Sequence, residues 1–214
     1  MDLVQKRNGS NKTFGKVAIS FHQHPSWRGQ SKRIDIVFVV YTSTSIKQTE
    51  RVNRGADNSL QYKNLAARHH VQQWKKFLYG SSNKTSVIRF LTEEWKLSKY
   101  REKLTDKALY VTCEQSCCKL TENKWTEVPE LESTEEEVDT HLLLHMLHTA
   151  RDGYKTAVIC SEDTDVFIIG LAVPSTVDIS IYQKFGTKTR TRYADVDKIG
   201  RSLQPDWLAC IHWI

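Results

Sequence analysis

Thr156-Ala-Val-Ile-Cys-Ser-Glu-Asp-Thr-Asp-Val-Phe-Ile-Ile-Gly170 decides how the rest of the chain is read. An apolar run, Ala157 to Cys160, breaks into three acids, Glu162, Asp163 and Asp165, before a second apolar run. The first run is short, β-branched and preceded by Gly153-Tyr-Lys, so it reads as a buried parallel strand. Parallel sheets bind ligands outside the carboxyl ends of their strands, which is where these acids fall. Two carboxylates one residue apart on rigid backbone can hold a hard divalent cation. The competing reading is structural: Asp163 or Asp165 caps the following helix and complements its positive end.

Just upstream lies the most strongly patterned helix. Ser133-Thr-Glu-Glu136 is a capping box, Val138, Leu142, Leu143, Met146, Leu147 and Ala150 form an apolar stripe, and Gly153 closes the element. Its first turn carries Glu135, Glu136, Glu137 and Asp139, which the helix dipole favours. His141, His145 and His148 share one face at helical spacing, and an exposed polar face is the expectation for them rather than a zinc site. Downstream, a helix running to about Ala172 is stopped by Pro174, and Asp178 to Tyr182 reads as a strand. Gly186-Thr-Lys-Thr-Arg-Thr-Arg192 reads as a basic turn into a short strand, and Asp195 as the cap of a helix to about Leu203. Trp207 to Ile214 is apolar to the last residue, which reads as truncation.

The other half of the chain differs in charge. Residues 1–110 carry 21 Lys+Arg against 8 Asp+Glu, whereas residues 111–214 carry 10 against 17. A basic half suits an anionic polymer, and an acidic half suits cations. Residues 1–33 read as a poorly ordered arm with one short element from Phe14 to Phe21. Arg33-Ile-Asp-Ile-Val-Phe-Val-Val-Tyr41 is a continuous β-branched run and reads as a central strand. From Ile46 to about Leu104 the pattern is basic and helical. Lys47, Arg51 and Arg54 form one cationic face suited to phosphates, while Trp74, Phe77, Phe90 and Trp95 follow core spacing. Ala108 to Cys113 reads as a second strand, and Cys117-Cys118-Lys-Leu with Trp125-Thr-Glu-Val as a hairpin around Thr121-Glu-Asn-Lys124. Cys113, Cys117 and Cys118 lack a fourth ligand at finger-like spacing.

No stretch approaches the ~20 apolar residues of a membrane span, and Met1 to Arg7 lacks a signal-peptide core. Five cysteines, an odd number, point to a reducing compartment, so the expected location is intracellular, nuclear or cytoplasmic. The Asn-X-Thr sequons at Asn11 and Asn83 are then coincidences. The alternation from Ala108 onward is that of an α/β protein with a mainly parallel sheet.

A right-handed crossover would bring Glu137 and Asp139 at a helix start towards Asp163 and Asp165 at a strand end. Such a cluster suits Mg²⁺ or Mn²⁺, and a paired-metal version hydrolyses phosphodiesters. Glu136-Glu-Val-Asp-Thr-His-Leu-Leu-Leu-His followed by Ser161-Glu-Asp-Thr-Asp-Val resembles the PIN-like and flap-endonuclease-like nucleases, in particular uncharacterised animal members of mobile-element-like expanded families. The likeness covers about Arg33 to the end, and Arg192-Tyr-Ala-Asp-Val-Asp-Lys-Ile-Gly-Arg-Ser-Leu looks like the family's element before its last acidic motif.

That resemblance implies a three-layer α/β PIN-like fold over 34–214, with a mainly parallel central sheet, a basic helical insert after the first strand and an incomplete C-terminal end. It implies metal ligation and catalysis by Glu137, Asp139, Asp163 and Asp165 with Mg²⁺ or Mn²⁺, and DNA or RNA as partner. Lys47, Arg51, Arg54, Lys188 and Arg190 are the candidate phosphate contacts. The chain departs from the family pattern at Val39, where the family has an Asp, and it stops before the family's Thr-Gly-Cys-Asp. Asp35 shares a face with Val39 but lies ~13 Å away along a strand, a poor substitute. The resulting alternatives are a metal-dependent nuclease, or an inactive nucleic-acid-binding or interaction module derived from one. A haloacid-dehalogenase-type phosphotransferase fits worse, because Phe167 occupies the place of that motif's Thr or Val.

Overall fold

A computed structural model describes residues 13–22, 30–40, 62, 64–70, 73–134, 138–171, 173, 177–186 and 190–203. The chain falls into two compact units, Met1–Glu136 and Glu137–Ile214.

The first unit is built on β2 (Ala108–Cys113), whose alternating side chains serve two faces. It pairs in parallel with β1 (Arg33–Ile36) and antiparallel with β3 (Ser116–Leu120), which pairs antiparallel with β4 (Trp125–Glu127). One face carries Leu109, Val111, Cys118 and Leu120 into the core. Against it pack α1 (Phe14–His22), α2 (Trp74–Phe77), α3 (Ser81–Lys96) and α4 (Ser98–Arg101). On α3, Val87, Leu91 and Trp95 recur at helical spacing and are buried, and the Trp95 indole N–H donates to the Ala18 carbonyl at 3.3 Å. Phe14, Val17 and Ala18 are fully buried, so the short element expected inside the N-terminal arm belongs to the core. Asn83 is a structural residue and not a surface sequon: it is buried, donates to the Phe77 carbonyl and accepts from the Tyr62 N–H, both at 3.0 Å.

The opposite face of the same sheet is polar. Arg33 and Asp35 are two apart on β1 and form two hydrogen bonds of 2.8 Å, one to each carboxylate oxygen. The Arg33 guanidinium lies 3.8 Å from the centroid of the buried Tyr110 ring. The expected strand from Arg33 to Tyr41 stops at Ile36. There the buried Thr112 hydroxyl accepts the Phe38 N–H at 2.7 Å, which takes that donor away from the strand ladder.

Thiol reactivity tests this packing. Cys117 and Cys118 are buried, Cys113 half-buried and Cys160 exposed, while Cys210 lies outside the described residues. Burial, with the Asp35 charge next, pushes the Cys117 thiol up to about 12; burial also raises Cys113 and Cys118. Only a thiolate attacks a disulfide reagent. Ellman's reagent at neutral pH is therefore expected to modify Cys160 in the native protein and spare Cys113, Cys117 and Cys118 until denaturant is added, as read by peptide mapping. Equal labelling of all four would contradict a closed hairpin.

The second unit holds α5 (Val138–Arg151), β5 (Thr156–Cys160), α6 (Thr164–Leu171), β6 (Ser180–Phe185), β7 (Arg192–Asp195) and α7 (Val196–Ser202). Its sheet runs β5-β6-β7, with β5 parallel and β7 antiparallel to β6. Met146, Ile179, Ile181 and Val196 form the core. Gly153 ends α5 at φ 84°, as expected, and Gly186 turns β6 towards β7 at φ 85°. At Gly186 an added Cβ would also run into the Arg190 carbonyl oxygen. Asp195 caps α7 as expected, accepting the Lys198 N–H at 2.9 Å.

Three expectations need correction. The sheet is not one mainly parallel layer: the described strands form two mixed sheets, of four and three strands, in a mixed α/β protein. Strand β5 is not buried on both faces: its residues alternate between exposed and half-buried, and Val158 is 50% exposed. The histidine face of α5 is not a solvated one. His141 and His145 are 1% and 3% exposed with ring centroids 5.2 Å apart, and His148 lies 3.5 Å from Asp152. No helix among the described residues is long and apolar enough to cross a membrane.

Candidate metal centre

The acids of the opening stretch sit where β5 hands over to α6. The chain leaves the strand at Cys160, and Ser161 to Asp163 make the turn into the helix. Two side chains shape that turn. The Ser161 hydroxyl accepts the Asp163 N–H at 3.1 Å, and one Asp163 carboxylate oxygen accepts the Asp165 N–H at 3.1 Å. Asp163 is therefore the N-cap of α6, and Asp165 is the second residue of the helix. The structural reading of this pair is thus shown for Asp163. The cap uses one oxygen of Asp163, and Asp163 and Asp165 are both exposed.

A third residue holds the turn from below. Gln183, fully buried on the central strand β6, donates from Nε2 to the carbonyls of Ser161 at 3.1 Å and Asp163 at 3.0 Å. Two carbonyl acceptors dictate the amide's orientation, since its own oxygen could not face them. The Gln183 Oε1 is then a buried acceptor with no hydrogen-bond partner among the described residues. Gln183 was missed by the sequence reading, which ended that strand at Tyr182. Its one signal was a polar residue at the inward period-two position after Ile181.

The remaining candidates are placed less centrally. Asp139 lies in the first turn of α5, half-buried, and α5 packs on α6. Glu137 lies outside the described residues. Asp139, Asp163 and Asp165 do not form a three-donor group, and no cluster of three or more His, Cys, Asp or Glu suited to a metal occurs among the described residues. In kind, the two exposed carboxylates at the β5–α6 corner fit a hard cation, and the Gln183 amide serves only to hold their turn. Of the phosphate-contact candidates, Arg190 is exposed beside the β6–β7 hairpin, whereas Lys47, Arg51, Arg54 and Lys188 lie outside the described residues.

Asp35 is accounted for differently. Both of its carboxylate oxygens accept hydrogen bonds from Arg33.

Protein-family models, curated sequences and solved structures offer no match to the chain.

Proposed function

We propose that the chain is a PIN-like, metal-dependent nuclease domain that hydrolyses phosphodiesters of DNA or RNA with Mg²⁺ or Mn²⁺. The observation that carries this reading is the β5–α6 corner. Asp163 and Asp165 are exposed one residue apart at the carboxyl end of a parallel strand, on a turn clamped by buried Gln183. A clamped turn holds carboxylates in a fixed relation, which a cation site needs more than it needs mere proximity. Asp163 and Asp165, with Glu137 and Asp139 from the start of the preceding helix, would hold the ion. A divalent cation so bound would polarise a phosphate oxygen and lower the pKa of its water. Lys47, Arg51, Arg54, Lys188 and Arg190 would neutralise the substrate's backbone.

A second reading has an observation of its own. Val39 supplies no carboxylate where the resembling nucleases have one, and the nearby Asp35 is tied to Arg33. On that reading the chain binds nucleic acid and no longer cuts it. Labelled single-stranded and flap DNA, incubated with Mg²⁺ or Mn²⁺, separates the two. The nuclease reading expects cleavage by the unaltered chain, lost in EDTA and in Asp163→Asn with Asp165→Asn. Cleavage by Val39→Asp alone would identify a disabled copy, and cleavage by neither protein would remove the nuclease reading.

A further inference from the structure

From Asn58 to Thr92 the chain carries six Lys+Arg and no Asp or Glu. Within that stretch, α2 divides its side chains sharply. Phe77 and the following Leu78 are buried, and Trp74 stands edge-on to Phe14 at 5.1 Å and to Phe77 at 5.7 Å. Anchoring those three leaves Lys75, Lys76 and Tyr79 on the outside, and Tyr79 is 59% exposed. Asn83 pins the corner by accepting from the Tyr62 N–H and donating to the Phe77 carbonyl, so the exposed group sits on fixed backbone.

These residues line a shallow cleft of about 500 Å³ with Gln73 and Trp74. Neither Lys75 nor Lys76 forms an ion pair among the described residues. The Trp74 indole N–H is buried with no acceptor among the described residues. The cleft therefore combines an aromatic surface with two point charges of one sign. An exposed aromatic ring beside uncompensated lysines is the arrangement that holds single strands, where bases are free to stack and phosphates follow the charge. A duplex would offer the lysines its phosphates and leave Tyr79 without a partner, since its bases are already stacked. An acidic peptide would do the same.

We infer that this cleft binds single-stranded nucleic acid, with a base stacked on Tyr79 and the flanking phosphates held by Lys75 and Lys76. The inference rests on the nucleic-acid half of the proposed function and is independent of its metal half.

Fluorescence anisotropy of a labelled oligothymidylate with the full chain in EDTA tests it without the metal. Tyr79→Ala is expected to weaken binding by about 5-fold or more, the equivalent of one lost stacking contact, while Tyr79→Trp retains it. Lys75→Gln with Lys76→Gln should flatten the plot of log affinity against log salt by about 0.7 per lost phosphate contact. An abasic strand of the same length should bind the unaltered chain as weakly as oligothymidylate binds Tyr79→Ala. The inference is overturned if Tyr79→Ala binds normally, if the abasic strand binds equally well, if polyglutamate competes as well as the oligonucleotide per charge, or if the unaltered chain does not bind.

Discussion

Replacing Asp163 and Asp165 together by asparagine is expected to remove Mn²⁺ binding measured by calorimetry while leaving the metal-free melting temperature nearly unchanged. The two effects separate because Asp163 has two jobs. As the N-cap of α6 it needs only a side-chain oxygen to accept the Asp165 N–H, and asparagine provides one. As a cation ligand it needs negative charge, which asparagine lacks. Two lost carboxylate charges correspond to a weakening of roughly 100-fold or more, at about 1.4 kcal/mol per tenfold change. The acids also complement the helix dipole, by about 0.3–1 kcal/mol each at low ionic strength, so the melting comparison belongs at physiological salt. Asp163→Ala is the control that removes both jobs, with an expected cost of ~1 kcal/mol from the lost cap. Unchanged Mn²⁺ binding in the double asparagine variant would reduce the pair to a cap and take the metal reading with it.

Arg33→Met should destabilise the first unit by about 3–5 kcal/mol, the usual cost of stranding one partner of a buried ion pair. The Arg33 side chain is 4% exposed and gives hydrogen bonds to both oxygens of Asp35. It also stacks on the ring of buried Tyr110. Methionine fills much of the space but removes both Arg33 hydrogen bonds and the positive charge from the Asp35 carboxylate in a poorly solvated place. Arg33→Met with Asp35→Leu should recover most of the loss, because removing both charges removes the desolvation cost along with the attraction. Urea unfolding of the unaltered chain, the two single variants and the double variant closes the cycle. Equal stability of Arg33→Met and the unaltered chain would mean that the pair is solvated in solution.

The site and the pair differ in how far they could be read from residue order. Asp163 and Asp165 announce themselves because an N-cap and a strand end are local: the residues that make the turn lie within a few positions of one another. The same locality makes β2, the β3–β4 hairpin, Gly153 at the end of α5 and Asp195 at the start of α7 legible. Gln183 is different. It is 22 residues from Ser161, and its role follows from β5 pairing in parallel with β6 so that Ile159 lies opposite Gln183. The burial of His141 and His145 is likewise a matter of how α5 is rotated against its surroundings, which spacing along one helix does not specify.

Residue order alone indicated most of the described strands and helices, the cap of α7 and the two acids that share the β5–α6 corner, because dihedral preference, period and capping act over a few residues. The tertiary arrangement settled the rest. It divided the strands into two mixed sheets, ended β1 at Ile36 through the Thr112 hydroxyl, and tied Asp35 to Arg33. It also placed a buried glutamine under the acidic turn and left Tyr79 exposed beside Lys75 and Lys76, which form no ion pair among the described residues. Each of these depends on which distant backbone or side-chain group satisfies a donor, an acceptor or a charge. That choice is made when the chain packs.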